Sequence, residues 1–244
     1  MKKISFLLAL SLGCALTLMA QDGEYLKPSG NVITRDVAVK PFSAIKASGL
    51  YDLILTQGSN EGVKVETDDN MQSLIVVSND GNALVIDEPK LRDHSVHFGS
   101  ADNEHTKRQH FKVYVTFKNI SSLDLQTIGN IHADAALSFD ALQINDKSVG
   151  NINLSLTAKK LTVTNKGVGS VTLSGKVDDA VITNSGVGSF NGQDLVVQTM
   201  HINNTGVGHA EVNVVKDLMV KDSFLGKVNN SGPAKTHKME GVQI

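Results

Sequence analysis

Four histidines crowd one polar stretch, KLRDHSVHFGSADNEHTKRQH, at His94, His97, His105 and His110, with Asp93, Asp102 and Glu104 among them. Imidazoles three apart, as at His94 and His97, have a spacing that can ligate zinc or copper. The stretch has no hydrophobic period, however, and nothing in it orders the hydrogen-bond partners that hold a ligating imidazole in place. It reads as a solvated loop over residues 90–110, and no metal is assigned.

Gly-x-Gly phrases are the next candidates: TNKGVGSV from Thr164, TNSGVGSF from Thr183 and NNTGVGHA from Asn203. A phosphate loop places its glycines between a strand and a helix whose N-terminus faces the anion. Here strand-like sequence follows the glycines, no lysine stands at the phosphate-binding position, and the phrase recurs. No nucleotide or other cofactor is expected.

Glycoside hydrolysis needs two carboxylates about 5–10 Å apart. Asp178 with Asp179, or Asp146 with Asp134, are the pairs on offer. Asp146 belongs to a column that is mostly Asn, which is neither acid nor base, and arginine is confined to Arg35, Arg92 and Arg108. No catalytic residue is assigned. A polysaccharide lyase or glycosidase is kept as the alternative reading. One polar column remains: Asn130, Asn151, Ser170, Ser189, His209 and Lys227. Amides and hydroxyls in a row suit a sugar polymer or an extended peptide, although any wetted strand surface has the same composition. These six residues are the candidate binding face.

The elements that must position them follow from a repeat. Glycines at Gly129, Gly150, Gly169, Gly188, Gly208 and Gly226 lie 21, 19, 19, 20 and 18 residues apart. Just before them stand Ile128, Val149, Val168, Val187, Val207 and Leu225; two after come Ile131, Ile152, Val171, Phe190, Ala210 and Val228. Six before lie Leu123, Ile144, Val163, Ile182, Ile202 and Val220. Between them the period is two, as in half-buried strands. A bend at each glycine is expected to turn both flanking apolar side chains inward, making the glycines corners. Asp146, Asn165, Asn184, Asn204 and Asp222 form a further column, four before the anchor, whose Asn amides can bond in a ladder.

Coils of about 19 residues cannot bury an apolar face alone and must stack about 4.8 Å apart, fusing the columns into one core. The expected fold is all-β, a right-handed parallel β-helix, the hand following the general preference of parallel connections. Coils occupy 118–244. Residues 42–117 form an N-terminal β portion, with strands near Ala44–Ala47 and Tyr51–Thr56 and a short helical turn in MQSLIVVSND. Residues 21–41 read as an extended lead-in.

The first residues, MKKISFLLALSLGCALTLMA, have two lysines, an apolar run and a small residue at Ala20. That is a secretory signal peptide over 1–20. A lipoprotein reading would instead modify Cys14, the only cysteine. Cleavage after Ala20 leaves a chain without thiol chemistry.

PFSAIKASGLYDLILTQGSNEGVKVETDDN, the later ALVIDEPK, and the repeated VGNI and GVGSV resemble the putative autotransporter adhesin, head GIN domain family over Phe42 to Ile244. IGN at Ile128–Asn130 and VGN at Val149–Asn151 come nearest the motif of its name. The resemblance implies an exported bacterial protein with a right-handed β-helix and an adhesin-like role. No long C-terminal segment capable of forming a membrane barrel is present in this sequence, which leaves the passenger shape alone.

A net charge of −2 gives no electrostatic case for nucleic acid. The combined expectation is a non-enzymatic envelope protein of periplasm, outer-membrane surface or medium. Its solenoid surface would bind a glycan or a protein, with a purely structural periplasmic role as a further alternative. Homo-oligomers would form through the β-helix ends, where edge strands invite pairing.

Overall fold

The period-two pattern becomes a stack of parallel strands. The computed structural model describes residues 24–92, 96–98 and 111–239. They form an all-β solenoid of about six turns. Each long strand, such as Ile152–Asn165, Val171–Asn184 and Phe190–Asn204, runs from one glycine corner to the next. In Ile152–Asn165 the residues Ile152, Leu154, Leu156 and Ala158 point inward, then Leu161, Val163 and Asn165 do so. Two successive exposed residues, Lys159 and Lys160, bend the strand between those sets. The predicted columns stack in register: Ile144 beside Val163, Ile182, Ile202 and Val220, and Ile152 beside Val171, Phe190 and Ala210.

The N-terminal portion joins the same sheet and the same core. Ala44–Gly49 pairs in parallel with Ser122–Thr127 on one side and Ala83–Asp87 on the other. Asp52–Gln57 likewise lies between Ile131–Ala133 and Lys112–Phe117. An arch early in the sequence is thus inserted between two later rungs. Antiparallel strands cover that end: Gly62–Asp68 on Lys112–Phe117, Val32–Val37 on Gly62–Asp68, and Val76–Asp80 on Ala83–Asp87. Part of the extended lead-in is therefore a sheet strand, and the helical turn in MQSLIVVSND begins at Asp69–Met71. Residues 1–23, which include the expected signal peptide and Cys14, lie outside the described residues, as do 240–244.

One expectation is corrected at the corners. Ile128, Val149, Val168, Val187 and Val207 do stack, each bridged to the next in parallel, but they point outward and are about half exposed, 49% to 56%. The inside of the corner is taken by the Asn column and by Gly167, Gly186 and Gly206. A side chain at Gly186 would overlap the Gly167 carbonyl oxygen, so the corner has no interior room for valine. The extra residue of the bend is the anchor glycine, with φ between +134° and +154° from Gly129 to Gly208. Gly226 is different. It is absent from the positive-φ corners and closes a looser bend, its N–H donating to Ser223 Oγ at 3.1 Å.

Candidate binding face

Each corner places three side-chain columns on one outer face. Asn165 and its equivalents turn inward, and the next residue turns outward: Gln126, Lys147, Lys166, Ser185 and Thr205. A small buried residue follows, then the aliphatic column. Past the anchor glycine come Asn130, Asn151, Ser170, Ser189, His209 and Lys227, all partly or fully exposed. The aliphatic column is therefore a ridge between two glycine tracks, with polar rims outside them.

Backbone bonds lock this ridge to the stack in both directions. Val168 N–H donates to Ser148 O at 2.8 Å, and Gly150 N–H donates to Val168 O at 2.9 Å. Val187 repeats the pattern, its N–H donating to Gly167 O at 3.0 Å while Gly169 N–H donates to its carbonyl at 2.8 Å. The corner offers no backbone edge on which a partner strand could be added, so recognition here is through side chains.

Beneath the ridge runs the buried amide ladder. Asn165 Nδ2 donates to Asn184 Oδ1 at 2.8 Å, and Asn184 Nδ2 donates to Asn204 Oδ1 at 2.7 Å. Asn204 Nδ2 closes the series on Gly208 O and Lys227 O at 3.1 and 3.3 Å. At the other end Asn165 Oδ1 accepts from Gly167 N–H and Asp146 Oδ1 from Ser148 N–H. Burial raises the Asp146 pKa. The ladder satisfies inside a dry corner what would otherwise be costly orphan groups.

The rim also has a structural task. Asn130 N–H donates to Asp52 Oδ1 at 2.6 Å, Asn151 N–H to Asn130 Oδ1 at 3.1 Å, and Ser170 N–H to Asn151 Oδ1 at 3.0 Å. The Asn side chains on this rim therefore tie rungs together through their oxygens. Their amide N–H groups have no protein partner among the described residues.

The ridge begins at Leu50 in the inserted arch, half-buried beside Ile128, whose N–H donates to Gly49 O at 2.8 Å. Among the described residues no earlier corner lies below Leu50 to accept its N–H. Glu88 Oε2 does so at 2.6 Å. Glu88 is 2% exposed, and a Cβ on Gly49 would press into its carboxylate, so only glycine fits there. Burial pushes the Glu88 carboxyl up to about 7, opposed by the Leu50 bond and reinforced by Asp87. Among the described residues Glu88 Oε1 has no hydrogen-bond partner. Tyr51 lies alongside, its OH donating to Ile86 O at 3.1 Å. Nothing in the sequence singled out Glu88 as the cap of the first corner.

The other candidates do not converge. Asp146 is buried in the ladder, whereas Asp134 is exposed beside His132, with Nε2 3.6 Å from Oδ1. Asp178 and Asp179 are exposed at a bend, and Asp178 lines an open groove of about 510 Å³ with Gln57, Asp140, Lys159 and Lys176. There Lys159 Nζ lies 2.6 Å from Asp140 Oδ1, and that hydrogen bond holds Asp140 below the usual carboxylate range. Among the described residues no group of three potential ligands is placed to hold a metal. His94, His105 and His110 lie outside the described residues. His97 lies in the short strand Val96–Phe98, paired with Glu24–Leu26.

The family model described as "Putative auto-transporter adhesin, head GIN domain" matches residues 41–234. A crystal structure of "a putative adhesin" from Bacteroides fragilis has TM-score 0.68 and 25% identity, covering 88% of this chain and 100% of that one. One from Parabacteroides distasonis, also described as a putative adhesin, has TM-score 0.61 and 19% identity, covering 88% and 96%. A third, a "Putative lipid binding protein" from Parabacteroides distasonis, has TM-score 0.56 and 15% identity, covering 88% and 95%. No curated protein matches the chain.

Proposed function

The chain belongs to the putative auto-transporter adhesin, head GIN domain family, and from that premise we propose an exported, non-enzymatic adhesin-like protein that binds a protein partner along the corner face. The family and the Bacteroides fragilis neighbour support the adhesin-like role. The observation that carries the choice of face is the exposed aliphatic ridge. Contiguous exposed apolar side chains rimmed by polar residues mark interaction sites on soluble proteins. Polar residues at Asn130, Asn151, Ser170, Ser189, His209 and Lys227 supply the rim, as interface rims are polar. A protein partner suits a ridge of branched aliphatics better than a glycan does, because its contacts are apolar and its rim oxygens are partly engaged in the stack.

The test uses fluorescent purified protein on cells of the producing species pretreated with trypsin or with periodate. Binding abolished by trypsin and weakened by Val149→Lys with Val187→Lys supports the reading. Binding abolished by periodate alone supports a glycan instead. Binding untouched by the ridge variant but lost in Asn151→Ala/Ser170→Ala/His209→Ala moves the site to the rim. Cleavage of a polysaccharide by the purified protein would return the enzyme alternative.

A further inference from the structure

We propose that the partner of the ridge is a second copy of this chain, docked ridge to ridge and antiparallel about a two-fold axis at Val168. The proposal rests on the reading of the corner face as the binding face and names its occupant.

The first argument is pitch. Ile128, Val149, Val168, Val187 and Val207 are bridged rung to rung, and Leu50 and Leu225 extend the column at its ends, where Ile128 N–H donates to Gly49 O and Gly208 N–H to Leu225 O; at about 4.8 Å per rung the ridge is about 29 Å long. An extended peptide presents same-face side chains about 6.7 Å apart, so it falls out of step with the rungs within a few residues. A second stack of the same rungs stays in step along the entire ridge.

The second argument is area. The face from the Lys166 column to the Ser170 column and its margin is about 16–20 Å wide at about 3.3 Å per residue. Two such faces bury at most roughly 900–1,200 Å² in total, the bend at each anchor glycine reducing the flat width, which is at or below the lower bound for a specific interface. An interface of that size belongs with weak, reversible contacts.

The third argument is charge, and it selects the antiparallel arrangement. Asp52 occupies the rim position beside Leu50 at one end, and Lys227 occupies it beside Leu225 at the other. Reversing one copy sets Asp52 against Lys227 at both ends. A parallel pair gains no such complement, although it avoids the one opposing contact of the antiparallel pair, Lys166 beside the other copy's Lys166 at the axis, where two long exposed side chains must splay apart. Reversal about Val168 also sets Val149 of one copy against Val187 of the other.

The experiment is sedimentation equilibrium of the purified protein across concentrations spanning the micromolar range, with thermal melts as the fold control. Wild type should self-associate to a dimer. Val149→Lys with Val187→Lys should weaken association at least tenfold with an unchanged melt, since both positions are exposed. Val149→Lys with Val187→Asp should restore the dimer, because lysine then faces aspartate twice. Wild type monomeric throughout, or a dimer indifferent to the double-lysine variant, overturns the proposal. Failure of the charge-swapped variant to restore the dimer overturns the antiparallel arrangement. A monomeric wild type whose trypsin-sensitive cell binding still depends on the ridge leaves the proposed function standing and removes self-recognition alone.

Discussion

Replacing Asn184 by alanine should cost this fold several kilocalories although it removes only one small polar side chain. Asn184 is fully buried, accepts from Asn165 Nδ2 at 2.8 Å and donates to Asn204 Oδ1 at 2.7 Å. Alanine leaves both partners in place without a counterpart. A buried donor or acceptor left unsatisfied costs about 1–3 kcal/mol, so the two together cost about 2–6 kcal/mol, with about 4 kcal/mol as the central value. For a chain of this size that lowers the melting temperature by about 8–16 °C. The assay is urea unfolding followed by far-UV circular dichroism, paired with Val187→Ala, whose exposed side chain should change stability by less than about 0.5 kcal/mol. An Asn184→Ala loss below about 1 kcal/mol, or a loss no larger than that of Val187→Ala, would refute the reasoning. It would mean that the amide ladder does not hold the corner.

Gly188→Ala should destabilise by about 3 kcal/mol or more, since its Cβ would overlap the Gly169 carbonyl oxygen and its φ is +134°; chemical denaturation reads this directly. Glu88 makes stability depend on pH. Its folded pKa, about 7, is raised from 4.5, so the folded state holds the proton more tightly. That contribution, about 3 kcal/mol, is fully present below pH 4.5 and is lost as pH rises through 7. Denaturant midpoints from pH 4.5 to 8 should show the decline, and Glu88→Gln should flatten it; an unchanged slope in the variant would point to another group.

The stack was legible because its signal is local and repeated. Val163, Ile182 and Ile202 recur at fixed offsets from a glycine, and so do Asn165, Asn184 and Asn204, which form the amide ladder expected of them. The direction of Val149, Val168, Val187 and Val207 was misleading for a physical reason. Polarity ordinarily sorts side chains, but the inward position at the corner is held by Gly167, Gly186 and Gly206, stacked backbone on backbone with no room for a side chain, so the valine that follows each of them turns outward. Paired glycines two apart, as at Gly167 and Gly169, were the available sign of that crowding. The insertion of Ala44–Gln57 between rungs from later in the chain is a non-local pairing that no periodicity encodes. The candidate rim residues were legible as an outward column, but the use of Asn130 and Asn151 oxygens to tie rungs depends on distances absent from a pattern.

The direction of the corner valines is the point on which the proposed binding face depends, and thiol reactivity measures it. A chain produced from Gln21 onward has no cysteine of its own, so Val187→Cys and Ile182→Cys in it each carry a single thiol. The native Val187→Cys variant should react with a maleimide at nearly the rate of the unfolded chain, while Ile182→Cys, fully buried in the parent, should stay protected until denaturant unfolds it. Protection at both positions would put the valines in the core and contradict the exposed ridge.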